Sequence, residues 1–141
     1  MSNQAVLLPL LVQVALTFAI GFWMAAGRVA AIRTRKVRAR DIALREPNWP
    51  IQLLQLQNAF ANQLELPVLF YALTILVLVT RTAADLWFVV PAWIFIALRL
   101  AHAYVHVTSN IVRLRGLIFI TGAVVLCAMW IIFAVRIISA A

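Results

Sequence analysis

The chain has 141 residues, of which 66% are hydrophobic and only 11% charged, and its mean hydropathy is +1.03. A soluble domain carries roughly 25% charged residues, and a fold this small cannot hide so much apolar surface from water. The composition excludes an ordinary soluble enzyme, a secreted disulfide scaffold and a disordered tail, and it places the chain in a bilayer.

The net charge of +8 would elsewhere suggest nucleic acid. Here most of it falls in one loop without aromatic–basic interleaving or a known module, so no nucleic acid partner is expected. The single cysteine, Cys127, excludes an internal disulfide and a cysteine-based zinc site. Within an apolar run it reads as a small buried hydrophobe.

Four apolar segments, at about 5–27, 53–79, 86–108 and 117–138, reach the roughly 20 residues that a helix needs to cross a bilayer. Backbone groups in hydrocarbon must bond within their own segment, which favours helices. The expected fold is an all-α membrane protein, a single bundle of four transmembrane helices. Helix 1 starts without basic residues and is too long for a signal-peptide core, so it is read as retained.

The next segment, about 28–50, is the only long connection. It carries Arg28, Arg33, Arg35, Lys36, Arg38, Arg40 and Arg45, and Pro47 and Pro50 break its end. Arg113 and Arg115 lie between helices 3 and 4, and the opposite side has only Arg81 and Arg136. This bias puts the basic loops in the cytoplasm and both termini away from it. The loop's charge serves topology and attraction to anionic lipid, or one or two arginines at the end of helix 1 bind an anionic ligand. Trp23, Trp49 and Trp87 fall near membrane edges, whereas Trp93 and Trp130 are deeper and read as packing residues.

Helix 2 carries Gln55, Asn58, Asn62 and Glu65 at spacings of 3, 4 and 3, which share one helix face. Pro67 follows inside the same segment and should kink it. Helix 3 carries Arg99, His102, His106, Ser109 and Arg113, again one stripe. At about 1.5 Å per residue, Glu65 and Arg99 both lie roughly 17–19 Å from the cytoplasmic surface. Charged groups at that depth are costly unless paired or hydrated, and they mark function by default. Glu65 is expected to pair with Arg99 or His102, within one chain or across a subunit boundary. Interhelical zipping is the competing use of these residues. His102 and His106 have ligand-like spacing, but no H-E-x-x-H pattern completes a metal site.

The segment Asn58-Ala-Phe-Ala-Asn62-Gln-Leu-Glu65-Leu-Pro67 resembles the helix 2 signature of the MAPEG family, the membrane-associated proteins in eicosanoid and glutathione metabolism. Arg99-Leu-Ala-His102-Ala-Tyr-Val-His106, followed by Arg113-Leu-Arg115, resembles its helix 3 pattern of an Arg, a His three residues on, and a distal Arg. The resemblance covers nearly the whole chain and looks like a bacterial-type member, of an inner membrane.

It implies a left-handed four-helix bundle that forms a homotrimer, with a site at each subunit interface in the cytoplasmic half. It also implies glutathione as thiol substrate, with transferase or peroxidase chemistry on lipophilic electrophiles that arrive from the bilayer. Glu65 would meet the glutathione amine and Asn62 its peptide portion. Arg28 or Arg33, together with Arg99, would meet carboxylates, and Asn58, His102 and His106 complete the binding set. Arg113 or Arg115 would stabilise the thiolate. Glutathione-using members commonly carry an Arg four residues before the helix 2 Asn, where this chain has Asn58. That departure favours the alternative, a non-catalytic membrane protein of the same fold with a lipid-binding, regulatory or scaffold role.

Overall fold

The computed structural model describes residues 3–43, 48–80, 82 and 85–139. The expected features Arg45, Pro47 and Arg81 lie outside these residues. Five α-helices form four crossings: α1 (Asn3–Arg33), α2 (Ile51–Asn62) with α3 (Leu66–Val79), α4 (Leu86–Val107) and α5 (Val112–Ser139). A 3-10 turn at Ala39–Ile42 lies in the connection from α1 to α2.

Helix α4 is the centre of the bundle and packs against α1, α2 and α5, while α3 packs on α1 and α5. The main core joins Val6 of α1, Phe70, Leu73 and Val77 of α3, Phe88, Ala92, Phe95 and Ile96 of α4, and Leu126, Met129 and Phe133 of α5. Their spacings of 3 and 4 place one apolar stripe of each helix inward. Phe70 lies near both Phe88 and Phe95, with ring centroids 6.5 and 5.1 Å apart. Toward the end of the bundle that carries the α1–α2 connection the packing includes smaller residues. Ile20, Ala59 and Ala103 form a cluster shared by α1, α2 and α4. A Cβ added at Gly21 would stand 2.9 Å from the Phe60 ring, so that glycine lets α1 and α2 approach closely.

Several boundaries differ from the sequence reading, each for a local reason. Helix α1 continues through Arg33, so Arg28 and Arg33 lie on its last turns rather than in a loop. At 31 residues it is about 46 Å long and outruns the hydrocarbon core. It stops where Arg35 adopts φ 56°. There Lys36 N–H donates to the Ala31 carbonyl and Arg35 N–H to the Ile32 carbonyl, both at 3.0 Å. This is the bond pair of a Schellman cap. Helix α5 starts at Val112, before the apolar run, so Arg113 and Arg115 occupy its first turn.

The expected single kinked helix 2 is two helices. Helix α2 ends at Asn62, and Glu65 has φ −99° and ψ −105°, outside helical geometry. Pro67 stands in the first turn of α3, where its missing N–H costs nothing, and it offers no donor to the Gln63 carbonyl one turn back.

Cys127 is exposed rather than buried. The inward stripe of α5 is Gly122, Leu126, Met129 and Phe133, and Cys127 is rotated off it by one residue. Trp93 is likewise exposed, whereas Trp130 packs on the main core.

Helix α4 ends against α2. Gln55 donates through Nε2 to the carbonyls of His106 (2.7 Å) and Thr108 (3.1 Å). These are C-terminal carbonyls that the helix itself leaves without partners. Replacing Gln55 by leucine is therefore expected to lower unfolding stability by about 1–2 kcal/mol, read as a lower melting temperature of the detergent-solubilised protein.

Candidate functional site

The helix break at residues 63–65 organises the polar interior. In a continuous helix the Asn62 carbonyl would accept from the amide four residues on. Here Arg99 takes that place, donating from Nη2 to Asn62 O at 2.8 Å. The same Nη2 lies 3.4 Å from Gln63 Oε1. Gln63 is itself fixed by Nε2 on the Ala59 carbonyl (3.2 Å) and by Gln13 of α1, whose Nε2 donates to Gln63 Oε1 at 3.0 Å. Gln13 and Gln63 are both 0% exposed and Arg99 is 2% exposed. A chain of side-chain bonds thus runs from α1 through the break to α4.

The first three members of the expected helix 3 stripe, Arg99, His102 and His106, are buried as their spacing predicts, but α4 ends at Val107, so Ser109 lies exposed in the turn and Arg113 belongs to α5. The two imidazoles meet edge to face with centroids 5.6 Å apart, and His102 lies 5.8 Å from the Phe119 ring of α5. This cluster carries many unused polar atoms: Arg99 Nε and Nη1, His102 Nδ1, and both ring nitrogens of His106 are buried without a hydrogen-bond partner among the described residues. Buried polar atoms ordinarily find protein, water or ligand partners, so this is where a polar guest would be held.

Beside the cluster is a cavity of about 280 Å³, walled by Asn62, Glu65, His102, Arg115, Gly116, Phe119 and Ile120. Four of the residues singled out from the sequence, Asn62, Glu65, His102 and Arg115, therefore share one space. The geometry also separates the two distal arginines. Arg115 is half-buried on the cavity wall, with Nη1 on Asn110 Oδ1 in the turn before α5, whereas Arg113 is exposed and does not line it. Two residues apart on a helix, they point to nearly opposite sides.

The remaining expectations divide. Arg99 stands behind Asn62 rather than on the wall, and His106 is buried beyond His102. Asn58 is exposed, and its carbonyl accepts from Asn62 Nδ2 at 3.3 Å. Arg28 is engaged elsewhere, with Nη2 on Gln57 Oε1 at 2.7 Å and its guanidinium 5.0 Å over the Trp49 ring. Arg33 is exposed at the end of α1.

The expected pairing of Glu65 with Arg99 or His102 is not made within the chain. Among the described residues the ion pair is Arg40–Asp41. The physical reason is the break: Glu65 is rotated off the face that Asn58 and Asn62 share, and Arg99 meets main-chain and amide oxygens instead. Glu65 is left exposed on the cavity wall, the one acid there, opposite Arg115.

Sequence reasoning missed Gln13 and Gln63. Gln13 could have been found by the depth argument applied to Glu65, since it is an amide in the middle of the apolar run of helix 1. Gln63 sits between two members of the helix 2 stripe, off its face, and only the break turns it inward.

A larger cavity of about 770 Å³ opens between the ends of α1, α2 and α4, lined among others by Trp23, Ala31, Lys36, Leu53 and Gln55. Lys36 is its one ionisable group, so the concentration of chemistry belongs to the smaller space.

A family model described as the MAPEG family matches residues 6–135 of the chain. Neither the curated proteins nor the solved structures gave a match.

Proposed function

The chain belongs to the MAPEG family, as an integral, multi-pass membrane protein. On that premise we propose that it is a glutathione-dependent enzyme of transferase or peroxidase type, acting on lipophilic electrophiles. The observation that carries this reading is the cavity that brings Asn62, Glu65, His102 and Arg115 together.

The residues fit a tripeptide thiol. Glutathione has two carboxylates and one amine, and the cavity has one acid, Glu65, among basic and amide groups. The unpartnered Nε and Nη1 donors of Arg99 immediately behind it favour negative charge. Glutathione, when bound, supplies the thiol sulfur. Arg115 is assigned the stabilisation of the thiolate, a task that needs a fixed positive charge and no proton transfer. Glu65 is assigned the amine, Asn62 the peptide portion, and Arg99 a favourable field from behind. Phe119 and Ile120 give the cavity an apolar side through which a substrate dissolved in lipid would approach.

The cavity is walled on one side only, with Glu65 and Ile120 both exposed. A second copy of the chain completing it, as in a homotrimer, fits this shape. The positive-inside bias supports a cytoplasmic mouth and termini on the other side of an inner membrane.

A second reading, a non-catalytic member of the family, is favoured by Asn58. An exposed amide there cannot neutralise a carboxylate as arginine does. The test is purified protein with glutathione and a chromogenic lipophilic electrophile. Conjugate above background supports the enzyme, and a flat result across varied acceptors supports the second reading. Asn58→Arg is expected to tighten glutathione binding several-fold without lowering the melting temperature, because the position is exposed and engages only its main-chain carbonyl.

A further inference from the structure

Arg99 is held in an unusual way for a buried cation. Its two protein acceptors, Asn62 O and Gln63 Oε1, are both neutral. Among the described residues no carboxylate is in ion-pair contact with it, the ion pair being Arg40–Asp41, and Glu65 acts on it only from a greater distance. A charge taken out of water is costly unless compensated, and the ordinary solution is an acid beside it. Here the acid's place is filled by an amide. Gln63 is not free to turn away, because its Nε2 is tied to Ala59 O and its Oε1 accepts from Gln13 Nε2. Gln13 comes from α1, fifty positions away in the chain, so this arrangement is a tertiary feature and not an accident of one helix. The outcome is a guanidinium fixed in position with Nε and Nη1 unused and its charge offset only at longer range, by Glu65, directly behind the Asn62–His102 wall of the cavity.

We propose that Gln13 and Gln63 are positioning residues that hold Arg99 through neutral acceptors, so that its positive charge is kept for an anion bound at the adjacent cavity. In the context of the function proposed above, that anion is the ionised glutathione. The arrangement explains why an amide pair stands where a carboxylate would give the more stable buried contact. A carboxylate at position 63 would bond Arg99 equally well and cancel the field that the site uses.

The test is Gln63→Glu beside Gln63→Met and Gln13→Leu, all in the full chain in detergent, read in two ways. Without ligand, Gln63→Glu is expected to melt above Gln63→Met, because its carboxylate pairs with Arg99 and still accepts from Gln13, although it gives up the donor to the Ala59 carbonyl. Gln63→Met and Gln13→Leu, which delete buried hydrogen bonds, are expected to melt lower. With glutathione titrated, Gln63→Glu is expected to bind about tenfold more weakly or worse despite its intact fold, which a merely structural role would not produce. Wild-type affinity in Gln63→Glu, or a Gln63→Glu protein that melts no higher than Gln63→Met, overturns the proposal. The ligand-free arm stands by itself. If the wild type does not respond to glutathione, the functional reading fails, and the order of the melting temperatures still decides whether Gln63 faces an Arg99 that lacks a contacting acid.

Discussion

Arg115→Ala is expected to lower the turnover of glutathione conjugation by roughly 10²–10³-fold, the usual cost of removing a preorganised group that stabilises developing or bound negative charge. The effect belongs in kcat, since the sulfur must be a thiolate when it attacks. The fold should tolerate the change. Arg115 is half-buried in the first turn of α5 and contributes one hydrogen bond, to Asn110. Arg113→Ala supplies the contrast, because Arg113 is exposed and off the cavity wall and its loss should change the rate little. Arg115→Lys should recover part of the rate, since it keeps the charge without the planar fork. Initial rates at saturating and limiting glutathione separate these outcomes.

Glu65→Gln is expected to act on binding. As the single acid on the cavity wall, Glu65 is assigned the ligand amine. Replacing a charge-assisted hydrogen bond by a neutral one should weaken glutathione binding about tenfold. KM for glutathione should rise with kcat little changed, the pattern of a lost interaction that ground state and transition state share. The melting temperature of the free protein should hardly move, because the Glu65 carboxylate is exposed and forms no ion pair among the described residues. An Arg115 effect on kcat beside a Glu65 effect on KM would assign the two walls of the cavity different tasks.

The architecture was legible from hydropathy alone, because four apolar runs of sufficient length leave a bilayer protein few alternatives. The α4 stripe was equally legible: Arg99, His102 and His106 lie on one regular helix, so their spacing of 3 and 4 maps directly onto one buried face. The helix 2 stripe was legible only as far as Asn62. Beyond it the helical period no longer applies, because Pro67 withholds an amide and the chain breaks at residues 63–65. A face computed on an unbroken helix therefore aimed Glu65 at Arg99, and the structure aims it at the cavity. The partner of Arg99 was hidden for the same reason. A main-chain carbonyl freed by a break, and an amide turned inward by it, leave no mark in a residue pattern. The choice between Arg113 and Arg115 depended on where α5 starts, and an apolar run does not report the polar first turn of a helix.

The most direct measurement is the ultraviolet difference spectrum of glutathione added to the purified protein at neutral pH, read in the thiolate band at wavelengths shorter than the aromatic absorption, where a bound thiolate absorbs and the free thiol does not. A thiolate band that saturates with glutathione is expected in the wild type and in Arg113→Ala, and is expected to be lost in Arg115→Ala. A saturable band that survives Arg115→Ala, or no band in a wild type that binds glutathione, would contradict the role assigned to Arg115.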